Sequence, residues 1–231
     1  MKILVVGLGS MGKRRIGILR DICPDAQIIG VDRMPQRREE AAEKFGITCC
    51  AELDDALKMG AKCAVISTSP LSHSGIINAC LKSGVNVFTE LNLVPDLYEE
   101  NIRLAKEKNV VLFLSSTFLY RNETKYIIDK VNKAESPLNY IYHIGQYLPD
   151  WHTWESYKDY FVGDKRTNGC REIFAIELPW LVSCFGKITD FSVQKSKNTQ
   201  LLIDYADNYM LHNGHKNMPI PLWINTRVRV S

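Results

Sequence analysis

The chain has 231 residues, enough to bury the core of one large domain or two modest ones. Its formal charge of +3 comes without a block of one sign, which excludes the electrostatic footprint of a nucleic-acid partner. Seven cysteines form no C-x-x-C pair and have no histidine at ligand spacing, so the composition points to reduced thiols in a cytoplasmic protein and away from a metal site.

The first apolar run, Lys2 to Val6, is far too short to span a membrane and breaks into Gly7-Leu8-Gly9-Ser10-Met11-Gly12. This Gly-x-Gly-x-x-Gly turn is followed by a basic amphipathic segment, then by a second apolar run, Gln27 to Val31, that ends at Asp32. Strand, turn, helix, strand and acid in that order form a dinucleotide fingerprint. Gly7 permits the tight turn, Gly9 lets a pyrophosphate approach the backbone, and Gly12 allows the helix to pack closely on the sheet. The helix start offers unpaired N–H groups to phosphate, and Asp32 can accept hydrogen bonds from an adenosine ribose diol. The charge of Asp32 favours NAD over NADP, whereas Arg33 and Arg37 beside it can accommodate a 2′-phosphate. Lys13-Arg14-Arg15 and Arg37-Arg38 are the densest basic spots; a phosphate neighbourhood and solvated helix faces both account for them.

Next, Gln36 to Phe45 suits a helix stopped by Gly46. Cys63 to Ile66 reads as a buried strand that runs into Ser67-Thr68-Ser69-Pro70, a loop at the carboxyl edge of a parallel sheet, where ligands bind. Ser72 is placed to cap a helix whose apolar positions Ile76, Ile77, Cys80 and Leu81 recur until Gly84. Val85 to Thr89 is a strand opening onto Glu90-Leu91-Asn92; Tyr98, Ile102 and Ala105 mark the face of a further helix, and Val110 to Leu114 a further strand. The alternation predicts a doubly wound parallel sheet, an N-terminal Rossmann domain over 1–116.

Beyond it the pattern changes. Asn122 to Ala134 reads as a helix and Leu138 to Leu148 as a long strand. The stretch after Pro149 is polar and aromatic, and Glu172 to Cys184 reads as a helix interrupted by Pro179. Strands follow over Thr189 to Lys195, Thr199 to Tyr205, up to His212 and over Trp223 to Val230. This predicts a second, short α+β domain over 117–231 with a mostly antiparallel sheet, serving substrate binding and assembly into a homodimer or higher homo-oligomer. Tyr147, Trp151, Trp154 and Tyr157 suit stacking on a sugar ring or an interface, and His152 titrates near neutrality within the same stretch.

These residues resemble the glucose-fructose oxidoreductase, inositol dehydrogenase and MocA family (Gfo/Idh/MocA). The likeness runs from the glycine turn through Thr68-Ser69-Pro70-Leu71-Ser72-His73 to Tyr120-Arg121 and the segment from Gly169 to Gly186. It implies an NAD(P)-dependent oxidoreductase acting on a hydroxyl or keto group of a sugar-like molecule, with no membrane partner. It also implies that Gly7, Gly9, Ser10, Met11, Gly12 and Asp32 hold the dinucleotide. Thr68, Ser69, Pro70, His73 and Glu90 would then line its nicotinamide half, and Arg121 the substrate. The family carries Glu-Lys-Pro after its fifth strand, the lysine serving as proton donor or acceptor, where this chain has Glu90-Leu91-Asn92. Matching back from Gly186 places Glu172 at a carboxylate position of the family, but puts Ile176 where it has histidine and Pro179 where a further aspartate is common. Glu172 and His152 are therefore the candidates for proton transfer, and the alternative is a dinucleotide-binding protein without catalysis. Family members are longer, so an altered or truncated C-terminal end is expected.

Overall fold

The computed structural model describes residues 1–135, 139–142, 156, 158–167, 169–186 and 226–229. Tyr147, Trp151, His152, Trp154 and Tyr157 lie outside the described residues, as do the strands expected between 189 and 212. The chain divides into two units, Met1–Ser115 and Ser116–Ser231.

The first unit is a six-stranded parallel sheet. Its strands are β1 (Lys2–Val6), β2 (Gln27–Val31), β3 (Thr48–Cys50), β4 (Cys63–Ile66), β5 (Asn86–Thr89) and β6 (Leu112–Leu114), in the order β3-β2-β1-β4-β5-β6. Helices α1 (Ser10–Ile22), α2 (Pro35–Phe45), α3 (Leu53–Lys58), α4 (Pro70–Lys82) and α5 (Tyr98–Glu107) make the crossovers. Because strand side chains alternate, each strand feeds two cores. Ile3, Val5, Ile28 and Val65 pack with Ile16 of α1 and Ala41 of α2. Leu4, Val6, Ile29, Ala64 and Ile66 pack with Ala56 of α3, Ile77 and Leu81 of α4, and Leu104 of α5. Leu4, Ile29 and Ile66 are fully buried, which stabilises the sheet by roughly 2–3 kcal/mol each.

The strand order reverses between β1 and β4, whose registers pair Val6 with Ile66. Connections leave β1 and β4 to opposite sides there, opening a crevice at the carboxyl ends of the strands.

Several expectations are corrected. The short elements β3 and α3 went unread, since three and six residues carry too little periodicity to stand out. Ser72 lies inside α4; Ser69 is the N-cap and Pro70, whose fixed φ suits a first helical position, begins the helix. The buried face of α5 is Asn101, Leu104 and Ala105, while Tyr98 and Ile102 are exposed, because a polar contact between helices turned the helix away from its most apolar stripe. Asn78 of α4 donates to Asn101 Oδ1 at 3.0 Å, and Asn101 donates to the Ser74 carbonyl at 3.1 Å.

In the second unit, a 3-10 turn at Thr117–Tyr120 leads into α6 (Asn122–Asn132). Strand β7 (Asn139–Tyr142) pairs antiparallel with β8 (Thr226–Arg229). Helix α7 (Gly169–Phe185) runs unbroken through Pro179, so the expected interruption is not there. Trp180, Leu181 and Cys184 of α7, which follow the proline, are buried against Phe118, Leu119, Ile127, Ile128 and Val131, and Ile173, which precedes it, is buried as well.

Candidate dinucleotide site

The glycine turn is built by contacts that only glycine allows. Gly7 has φ of +92°, and a Cβ there would stand 2.7 Å from the Ser67 carbonyl oxygen. A Cβ on Gly12 would fall 1.8 Å from the Gly7 oxygen, so these two glycines are needed by the turn itself. Gly9 differs: its Cβ would meet nothing nearer than the Arg37 guanidinium at 3.8 Å. The space above Gly9 is open, and Gly9 caps α1 without a side-chain hydrogen bond. Ser10 and Met11, in the first turn, are exposed. First-turn N–H groups have no intrahelical acceptor, so the turn is a cradle for an anion. The residues present fit the diphosphate of a dinucleotide.

Asp32 directly follows β2 beside this cradle. Its Oδ2 accepts from the Leu8 N–H at 2.8 Å and its Oδ1 from the Met34 N–H at 2.9 Å. The side chain is 8% exposed, and each oxygen keeps a lone pair for a further donor. Arg37 brings Nη1 to 3.6 Å from Oδ2. Arg38, for which the sequence offered a phosphate neighbourhood or a solvated helix face, donates to the carbonyls of Asp32 and Arg33 at 2.9 Å and so shapes the loop. Arg33 is exposed.

On the other side of β1, the loop after β4 carries Thr68 and Ser69. The Ser72 hydroxyl lies 2.8 Å from both Thr68 Oγ1 and the Ser69 carbonyl. His73 is 1% exposed, with Nε2 at 2.9 Å from the Thr68 carbonyl and Nδ1 at 3.1 Å from the Leu91 carbonyl. A neutral ring has one N–H and satisfies one of these oxygens at a time. Burial pushes the His73 pKa down, opposed by the two carbonyls and by the charge of Glu90. The ring thus ties the loop after β4 to the loop after β5.

Glu90 is ion-paired with Arg15 of α1, whose guanidinium also lies over the Phe88 ring at 4.6 Å from its centroid. Phe88 in turn stacks on Phe113 of β6 at 5.6 Å. Only the general basic character of Lys13-Arg14-Arg15 was visible beforehand; Lys13 pairs with Glu40, and Arg14 is exposed. Two buried polar atoms at this edge, Ser67 Oγ and Asn92 Oδ1, have no hydrogen-bond partner, which suits a polar ligand alongside.

In the second unit, burial pushes the Glu172 pKa from its ordinary 4.5 to about 7. The Arg121 guanidinium lies over the Phe118 ring at 4.0 Å. Among the described residues no helix is long and apolar enough to cross a membrane. Nor do they contain a group of three or more His, Cys, Asp or Glu placed to hold a metal ion.

Comparison with known proteins agrees with this geometry. The model of the GFO_IDH_MocA family, an oxidoreductase family with an NAD-binding Rossmann fold, matches residues 1–116. The solved structure of GenD2 from gentamicin A biosynthesis, in complex with NAD, is 24% identical with a TM-score of 0.54, covering 61% of this chain and 43% of its own. WlbA dehydrogenase from Bordetella pertussis, in complex with NADH and UDP-GlcNAcA, is 19% identical with a TM-score of 0.54 and coverages of 58% and 43%. Biliverdin reductase from Synechocystis, with biliverdin and NADP+, is 18% identical with a TM-score of 0.64 and coverages of 82% and 59%. The chain therefore spans less than two thirds of the length of each. No curated protein matches it. With half of its length matched by the family model, and with the glycine cradle and Asp32 in place, the chain belongs to the Gfo/Idh/MocA family of oxidoreductases with an NAD-binding Rossmann fold.

Proposed function

We propose that the chain is an NAD(P)-dependent oxidoreductase acting on a hydroxyl or keto group of a sugar, amino sugar or nucleotide sugar, with residues 1–116 holding the cofactor and 117–231 the substrate. The observation that carries this reading is the open space over Gly9 beside a nearly buried Asp32 carboxylate. The first-turn N–H groups of Ser10, Met11 and Gly12 receive the diphosphate. Asp32 accepts from the ribose diol through the lone pairs that Leu8 and Met34 leave free, which favours NAD, and Arg37 offers a cation for a 2′-phosphate. Thr68, Ser69 and Pro70 face the nicotinamide half, and His73 holds their loop. The bound nicotinamide supplies a hydride donor or acceptor at C4.

Hydride transfer at a carbinol carbon requires a group that moves the hydroxyl proton, an effect worth roughly 10²–10⁴ in rate. Leu91 carries no proton, so Glu172 takes that role: a carboxyl pushed to about 7 exchanges protons at neutral pH. A sugar-type substrate is supported by WlbA, whose structure holds UDP-GlcNAcA.

A second reading, a dinucleotide-binding protein without catalysis, is favoured by Leu91 standing where the family has its lysine. Titration with NADH and NADPH, followed by nicotinamide fluorescence, and then turnover on a panel of sugars and nucleotide sugars separates the two. Turnover that is lost in Glu172→Gln supports the enzyme. Tight binding without turnover on any member, with activity appearing in Leu91→Lys, supports the second reading. Absence of dinucleotide binding defeats both.

A further inference from the structure

Arg15 and Glu90 form a partly buried ion pair at the carboxyl edge of β5, with side chains 20% and 22% exposed. The two residues are 75 positions apart, and the pair bridges the helix that follows the glycine turn to the strand two places from β1. The guanidinium is held from a second side by the Phe88 ring, itself stacked on Phe113. Glu90 is held as well: its backbone N–H donates to the Ile66 carbonyl at 3.3 Å, and the next carbonyl, that of Leu91, meets His73. Both charges are therefore fixed in place.

Their position relative to the cradle gives them a task. Asp32 follows β2 on one side of β1, and Glu90 follows β5 on the other. A dinucleotide across the switch point, with its adenosine ribose at Asp32, extends its nicotinamide toward β4 and β5. An oxidised nicotinamide ring carries a positive charge and a reduced one does not. A fixed carboxylate beside the ring favours the oxidised form, and a fixed guanidinium disfavours it.

We propose that the Arg15–Glu90 pair sets the preference of this site between the oxidised and reduced cofactor, with Arg15 balancing the carboxylate that would otherwise hold the oxidised form too tightly. This rests on the dinucleotide reading above and deepens it. Arg15 acts here as a residue that tunes the site through Glu90, and no proton or bond change is assigned to it.

The test is the ratio of dissociation constants, Kd for NAD+ over Kd for NADH, measured by calorimetry and fluorescence on the whole chain. Arg15→Met leaves Glu90 unbalanced and lowers the ratio about tenfold; Glu90→Gln leaves Arg15 unbalanced and raises it by about the same factor. Arg15→Met with Glu90→Gln returns the ratio to within about threefold of wild type, and Arg15→Lys, which keeps the charge, preserves it. A purely structural role moves both affinities together and in the same direction in each single variant. That outcome, or a ratio unchanged in both, overturns the inference while leaving the dinucleotide reading intact. If wild type binds neither form, the dinucleotide reading itself has failed and the inference falls with it.

Discussion

Arg37 Nη1 stands 3.6 Å from Asp32 Oδ2, and the same guanidinium is the nearest group to the space above Gly9. One cation thus borders both the ribose-recognising carboxylate and the diphosphate cradle. In Asp32→Asn the repulsion of a 2′-phosphate disappears while an acceptor remains, so preference shifts toward NADPH by about tenfold. Adding Arg37→Met removes most of the gain, because the partner of the 2′-phosphate has gone. Paired NADH and NADPH titrations read both effects, and a loss of NADH affinity without any gain for NADPH would contradict this assignment.

The three glycines of the turn separate into two kinds. Gly12→Ala places a methyl group 1.8 Å from the Gly7 oxygen, so the helix must shift; a loss of about 3 kcal/mol or more is expected in urea unfolding. Gly9→Ala meets nothing within 3.8 Å, and its stability stays within about 1 kcal/mol of wild type. The same methyl occupies the cradle, so NADH affinity falls at least about tenfold. Comparable stability losses in the two variants would show that the space over Gly9 is not a ligand cradle.

Asn101 is 2% exposed and links α5 to α4 through Asn78 and the Ser74 carbonyl. Asn101→Ala removes the hydrogen bonds to Asn78, which keeps its bond to Glu100, and to the Ser74 carbonyl, and destabilises the first unit by about 1–3 kcal/mol. Because Asn78 belongs to the same network, Asn78→Ala added to it costs less than the two single changes summed. Additive losses in a thermal or urea series would indicate two independent sites.

Glu172 has a folded-state pKa of about 7 against an ordinary 4.5, so the folded chain holds a proton that the unfolded chain releases in that window. The stability this contributes is fully present below pH 4.5 and is lost as pH rises through about 7. Relative to Glu172→Gln, wild type should therefore weaken across that window, by roughly 3 kcal/mol at most. Urea midpoints of both proteins across the range decide the matter; parallel curves would mean that the carboxyl is solvated.

Much of the first unit was legible in residue order. Cys63–Ile66 has the bounds the apolar run marks, and α2 stops before Gly46 as expected. Misreadings arose where a tertiary contact overrode a local preference. Asn101 faces inward because Asn78 is there to meet it, and α7 passes through Pro179 with Ile173 buried before the proline and Trp180, Leu181 and Cys184 buried after it. At the candidate site, the glycines and Asp32 were visible, while the carbonyls that His73 meets and the partner of Arg15 were not.

The division has a physical cause. Glycine positions, apolar alternation and the distance to an acid are properties of neighbouring residues, so the order of residues alone determines a phosphate turn between two buried strands and the dinucleotide fingerprint around it. The Arg15–Glu90 pair and the His73 bridge join segments 75 and 18 positions apart, and they exist only once the sheet has set β4 and β5 beside β1. Tertiary structure alone decided which charges face each other at the carboxyl edge, because Coulomb and hydrogen-bond energies depend on distances that no spacing along the chain encodes.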